Sequence, residues 1–171
     1  MPALPCLDIF GEVIDHLGDA GTCWRLTREL RRVLPRTHLR LWMDQPGVLR
    51  RLLPSGVDPR HPSTSIRLGS WKEARRCRPA RARILAFGCE PPAMQGEQAD
   101  PPDLTVHLEY FTAETWAEEM HGMESLLPDG RGRKFFFFPG LDLRSGGLLS
   151  LSRPRIGPEE RLRLRRKLLR F

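Results

Sequence analysis

Apolar and polar positions fall into blocks along this chain, and the period changes from block to block. Residues 7–14, LDIFGEVI, form an apolar run that predicts a buried strand ending near Ile14. In TCWRLTRELRRVL (22–34), Trp24, Leu26, Leu30, Val33 and Leu34 keep roughly helical spacing, with arginines on the other side. HLRLWMD (38–44) alternates and predicts a second strand; PGVLRRLLP (46–54) predicts a short helix and TSIRLGSW (64–71) a third strand. ARILAFGC (82–89) is a continuous apolar run, as in strands buried on both faces. PPDLTVHLEY (101–110) predicts another strand. TAETWAEEMHGM (112–123) predicts a helix with Thr112 at the N-cap and glutamates in its early turns. KFFFFPG (134–140) is one more strand, stopped by Pro139-Gly140. GPEERLRLRRKLLRF (157–171) is a terminal helix with Pro158 in its first turn.

Strands and helices mostly alternate, which predicts an α/β fold with a largely parallel sheet covered on both faces. Residues 91–102 and 140–157 are the loop-rich stretches. In such sheets ligands gather beyond the carboxyl ends of the strands. The chemistry is therefore expected just after Ile14, Phe87, Leu108 and Phe138. Those points lead into Asp15 and Asp19, into Gly88-Cys89-Glu90, into Glu109-Tyr110, and into Pro139-Gly140. Acidic groups thus converge on one edge of the sheet.

Composition narrows the picture. A length of 171 residues suits one ordinary domain. No run of eighteen apolar residues exists, and the start, MPALPCLDIF, lacks the pattern of a signal peptide. The four cysteines, Cys6, Cys23, Cys77 and Cys89, are scattered singly, which predicts free thiols in a reducing cytosol and no zinc site. The net charge is +7, which invites an acidic or nucleic-acid partner. Yet of 28 basic residues only Lys72, Lys134 and Lys167 are lysines, and arginine-rich, proline-rich composition also follows from a GC-rich genome. No face interleaves aromatics with the basic residues, so nucleic acid is not the favoured partner.

Individual motifs are mostly modest. GDAG (18–21) is neither a GxGxxG fingerprint nor a P-loop. Asp19 is expected to cap a helix starting at Ala20. Asp15 follows apolar residues at a strand end, is expected not to cap the same helix, and so asks for another role. The five histidines show no metal spacing, and no metal is expected; no GxSxG or Cys-His pairing occurs. Gly146-Gly147, within LRSGGLLSLSR, could bring backbone close to a ligand. RLRLRRKLLRF is expected to dock its leucines on a core and solvate its arginines, so no membrane association is expected.

Five stretches, DIFGEVIDHLGDAGTCWRLTREL, LRLWMD, AFGCEPP, LEYFTAETW and FFFFPGLDLRSGGLL, resemble in order the elongation factor P arginine rhamnosyltransferases, from about Leu7 to the end of the chain. The resemblance implies a GT-B glycosyltransferase, in which two Rossmann-like domains face each other. It implies inverting transfer of rhamnose from dTDP-β-L-rhamnose to an arginine of elongation factor P in the cytoplasm. Residues 1–156 would be the N-terminal, acceptor-side domain. Residues 157–171 would be a helix leading to a C-terminal nucleotide-sugar domain outside this chain. Both Asp15 and Asp19 match positions that the family treats as catalytic.

The chemistry suits that assignment. A guanidinium with a pKa above 12 is a poor nucleophile. A carboxylate can hold it by paired charge-assisted bonds and then accept its proton as general base. Asp19 is expected as the base, facing an open groove, and Asp15 as its partner, orienting the arginine or Asp19. Glu109, Tyr110, Glu114 and Trp116 are expected to line the acceptor side. Gly18, Gly21, Gly146 and Gly147 are expected to approach donor or acceptor closely. A non-catalytic docking module for elongation factor P and a basic RNA- or ribosome-associated protein are the competing readings.

Overall fold

A computed structural model describes residues 5–15, 17–53, 66–78, 80–92, 102–112, 114–126 and 132–139. In chain order the elements are β1 (Cys6–Gly11), α1 (Gly18–Val33), β2 (His38–Met43), α2 (Pro46–Leu52), β3 (Ile66–Ser70), α3 (Trp71–Ala74), β4 (Ala82–Ala86), β5 (Leu104–Leu108), α4 (Trp116–Met120), β6 (Glu124–Leu126) and β7 (Arg133–Phe137). The seven strands form one sheet in the order β3-β2-β1-β4-β5-β7-β6. All neighbours pair in parallel except β6, which runs antiparallel to β7 at the edge. This is the expected α/β, Rossmann-like architecture. The predicted terminal helix at 157–171, and Gly140, Gly146 and Gly147, lie outside the described residues.

The alternation of side chains sorts the strands onto two cores. On one face Leu7, Ile9, Leu39, Leu41 and Ile84 pack against Ala20, Cys23 and Leu30 of α1 and Leu49 of α2. On the other, Phe10, Trp42 and Leu85 meet Cys89 and the flank of α3 through Trp71, Ala74 and Cys77. On this second face Gly69 lets Trp42 lie flat on β3, since a Cβ there would stand 2.5 Å from the indole. Apolar burial at about 25 cal/mol per Å² supplies the main driving force for both layers.

The second face also carries a polar row that crosses six strands in register: Arg67, Arg40, Asp8, Arg83, Thr105 and Lys134. Asp8 is its anchor. Its carboxylate takes Arg40 Nε at 2.5 Å and Nη2 at 2.6 Å, Trp42 Nε1 at 2.7 Å and the Ala80 N–H at 3.2 Å. Both charged partners are buried, so four donors on one carboxylate are what makes that burial tolerable.

Several boundaries differ from the sequence reading, each for a local reason. β1 ends at Gly11, three residues early, because β2 ends opposite it at Met43 and the Val13 N–H bonds the Asp44 carboxylate instead of a strand. β4 ends at Ala86, because Phe87 and Gly88 both adopt positive φ. α4 is confined to Trp116–Met120, and Thr112 accepts the Glu114 N–H rather than capping a helix. α3 was not anticipated, although its capping box, Ser70 with Glu73, is legible as S-x-x-E. The three-residue β6, exposed throughout, carries no apolar period and was not anticipated either.

Candidate active site

Strand order reverses between β1 and β4: the chain moves from β1 outward to β2 and β3, then returns to β4 and continues to β5 and β7. At such a switch point the two connections diverge and leave a crevice beyond the strand ends. The loop from Glu12 to Leu17 leaves β1 at this point, and its backbone is held from two sides. Asp44, just past β2, accepts the Val13 N–H at 2.9 Å. Asp19, in the first turn of α1, accepts the Ile14 and Asp15 N–H groups through one oxygen, Oδ2, at 3.0 and 2.9 Å.

Asp15 and Asp19 exchange the local roles expected of them. α1 begins at Gly18, not Ala20, and Asp19 lies inside it, bonding the loop upstream rather than capping the helix. Asp15, expected not to cap, does satisfy the helix start: its Oδ1 accepts the Gly18 N–H at 2.9 Å. Asp15 is exposed, whereas Asp19 is only 5% exposed. Asp19 also holds the Asp15 backbone, through the Asp15 N–H. Both carboxylates sit at the positive end of a sixteen-residue helix, which favours negative charge there.

Gly18 is needed for this arrangement. A Cβ at that position would stand 2.7 and 2.9 Å from the two Asp15 carboxylate oxygens. Gly21, one turn further along, has only Leu52 near, at 3.9 Å, so nothing in its surroundings requires a glycine.

The end of β5 sends two neighbours to opposite sides. Tyr110 stacks on Phe87 from the end of β4, with ring centroids 4.7 Å apart and planes 24° from parallel. Its phenol is pushed above the usual tyrosine range, first by burial and then by the negative charge of Asp19, Asp15 and Glu12. Glu109 points to the other side. Its carboxyl is pushed up by burial and pulled down by Lys134. Tyr110 therefore feels the charge of the aspartate pair, and Glu109 that of Lys134. Glu114 and Trp116 lie further out, at the start of α4; both are exposed, and Trp116 meets Phe138 edge-on at 5.2 Å.

The same group of carboxylates is felt by two buried thiols. Burial, then Cys89 and Asp19, push Cys23 up to about 12; burial drives Cys89 up to about 12 also, with Glu12 and Asp44 adding to it. Thiols held protonated at neutral pH are poor nucleophiles, so the acidic side chains, not the cysteines, carry the reactive potential here. Among the described residues no group of three His, Cys, Asp or Glu side chains could hold a metal ion, and no helix is long and apolar enough to cross a membrane.

Glu12, Asp44 and Phe87 belong to this site; the sequence marks Phe87 only as a strand end and gives no role to the other two. Asp44 was legible in principle as the first polar residue after an alternating strand. Phe87 was not, because its importance lies in a backbone conformation that an apolar run conceals.

A mostly parallel sheet whose strand order reverses between β1 and β4 defines a Rossmann-like domain, the kind that makes up each half of a GT-B glycosyltransferase. Residues 7–157 match the sequence profile of the elongation factor P rhamnosyltransferase EarP family, and the chain belongs to that family. It is 38% identical over 160 residues to a protein-arginine rhamnosyltransferase of Pseudomonas putida, covering 83% of this chain and 39% of that protein. The corresponding protein of Pseudomonas aeruginosa is 36% identical over 150 residues, with the same coverage. That of Neisseria meningitidis serogroup B is 34% identical over 147 residues, covering 82% of this chain and 37% of its own length. The chain thus spans about two fifths of the length of these curated relatives.

Proposed function

We propose that this chain is the acceptor-side half of a protein-arginine rhamnosyltransferase, acting in the cytoplasm on an arginine of elongation factor P with dTDP-β-L-rhamnose as donor. Residues 1–156 form the Rossmann-like domain, and 157–171 lead toward a second domain that binds the nucleotide sugar. The observation that carries the reading is the Asp15–Asp19 pair, fixed to the β1–α1 loop at the switch point of a chain that belongs to the rhamnosyltransferase family.

The two carboxylates divide the work by depth. Asp15, exposed at the mouth, keeps Oδ2 outside its bond to Gly18 and receives the guanidinium fork. Asp19, at the floor, commits Oδ2 to two backbone N–H groups, which leaves Oδ1 as the proton acceptor. A guanidinium nitrogen forms a bond to the anomeric carbon as the bond from that carbon to the dTDP oxygen breaks. The proton of that nitrogen passes to Asp19, and dTDP leaves with the electron pair. A single displacement inverts the anomeric centre, and no step calls for a metal or a covalent sugar intermediate. The half-exposed Tyr110 flanks the arginine. Glu114 and Trp116 lie where the acceptor protein would approach, and Glu109, beside Lys134, stays outside the site.

Mass spectrometry of elongation factor P incubated with the intact enzyme and dTDP-rhamnose tests the reading. Addition of one deoxyhexose to a single arginine is the expected result. Stable binding without any added mass would instead make this a docking module. Binding of RNA with a steep salt dependence, and none of elongation factor P, would make it an RNA-associated protein.

A further inference from the structure

The end of β4 takes a shape that its own sequence resists. Phe87 has φ 59° and Gly88 φ 67°, and the Cys89 N–H donates to the Ala86 carbonyl at 3.2 Å. Two successive left-handed residues closed by that bond make a turn for which Asn-Gly or Gly-Gly is the relaxed choice. A phenylalanine in the first position is strained, and such strain persists only where the surroundings over-determine it. Three contacts do so. The Phe87 N–H donates to the Leu108 carbonyl at 2.6 Å, its ring packs against the α1-side core, and its ring stacks on Tyr110.

We propose that Phe87 is a positioning residue whose left-handed turn props the Tyr110 ring beside Asp15 and Asp19, so that the acceptor guanidinium enters between an aromatic face and two carboxylates. The inference deepens the rhamnosyl-transfer reading and rests on it. A guanidinium is planar and weakly hydrated; it stacks on an aromatic face while its N–H fork meets carboxylates. Tyr110 is half exposed, and one face of its ring is backed by Phe87. Phe87 supplies that backing from the neighbouring strand end and stays clear of the reacting atoms. Its placement on the α1 side matters, because Glu109, one residue before Tyr110, turns toward Lys134 instead.

Two substitutions in the intact enzyme test this. Phe87→Gly suits the backbone of the turn and removes the ring; Phe87→Tyr keeps the ring. Phe87→Gly is expected to raise the KM for elongation factor P about three- to tenfold, the range of a lost aromatic–cation contact, with little change in kcat. Phe87→Tyr is expected to restore the KM. A second readout does not depend on turnover. The ionisation of Tyr110 can be isolated in the intact enzyme as the ultraviolet difference between proteins with and without Tyr110→Phe, measured with and without Phe87→Gly. It is expected to shift toward that of free tyrosine as the ring loses its place among the carboxylates. A Tyr110 titration unmoved by Phe87→Gly overturns the inference whether or not the enzyme transfers rhamnose, and so does an unchanged KM. Failure of the wild-type enzyme to modify elongation factor P would sink the functional reading alone.

Discussion

Asp19 holds two jobs that one substitution can separate. Its Oδ2 accepts two backbone N–H groups, and an asparagine amide oxygen can do the same. Asp19→Asn should therefore keep the loop while removing a proton acceptor. Asp19→Ala strands both N–H groups and should cost about 1–3 kcal/mol of stability, read as a fall in the unfolding midpoint in urea. Equal stability of the two variants would show that the loop does not depend on these bonds. Gly18→Ala sets two effects against each other. Alanine gains about 0.5–1 kcal/mol of helix propensity over glycine, but its Cβ displaces the Asp15 carboxylate. Because that carboxylate can swing into solvent, the fold should be as stable or slightly more so, and affinity for the acceptor should fall. Calorimetric titration with elongation factor P checks this; unchanged affinity would mean that the Asp15 position is irrelevant to binding. At this scale the sequence pointed to the two aspartates but misread their local bonds. An aspartate beside a glycine looks like a cap, and only the fold reveals which N–H groups each carboxylate reaches.

The elements were more legible than their ends. Strand periods come from burial, and burial in a parallel sheet leaves continuous apolar runs that hide where the ladder stops. LDIFGEVI reads as one strand through Ile14, whereas the ladder closes at Gly11 and Asp44 takes over the next N–H. The charged positions within the apolar strands carry a further signal: Asp8 and Arg40 interrupt their runs because they meet each other. Removing one partner leaves the other charge buried alone, so Asp8→Ala should cost about 3–5 kcal/mol. The doubly substituted Asp8→Leu, Arg40→Met protein should recover much of that loss. Chemical denaturation of the wild type, Asp8→Leu, Arg40→Met and the doubly substituted protein tests the pair, and additive losses would show that the two side chains act independently.

Over the whole molecule, a net charge of +7 coexists with a negative switch point. That contrast is why bulk charge did not reveal the function. Among the described residues, arginines line α1, α2 and the polar row, while Glu12, Asp15, Asp19 and Asp44 lie together at the β1 strand end. The polar row has a consequence for stability. Burial, with Lys134 and Arg83 alongside, lowers the His107 pKa from 6.5 to about 4. The folded state thus keeps His107 neutral where the unfolded chain already takes up a proton. Stability from this group is full above about pH 6.5 and is lost as the pH falls toward 4. His107→Gln should flatten the dependence of the melting temperature on pH between those values, and a slope unchanged by the substitution would assign it to other groups. The functional class was legible because five separated segments keep their order along the chain, and each of them takes in the carboxyl end of a strand in one sheet. Gly146 and Gly147 lie outside the described residues, and the glycine-rich stretch that holds them adds nothing structural to this picture.

The most direct measurement is the kcat of the intact rhamnosyltransferase with Asp19→Asn, beside its unfolding midpoint. If the buried carboxylate takes the proton from arginine, kcat should fall by about 10²–10⁴ with the midpoint nearly unchanged. Transfer to elongation factor P at the wild-type rate by a folded Asp19→Asn enzyme would contradict the account.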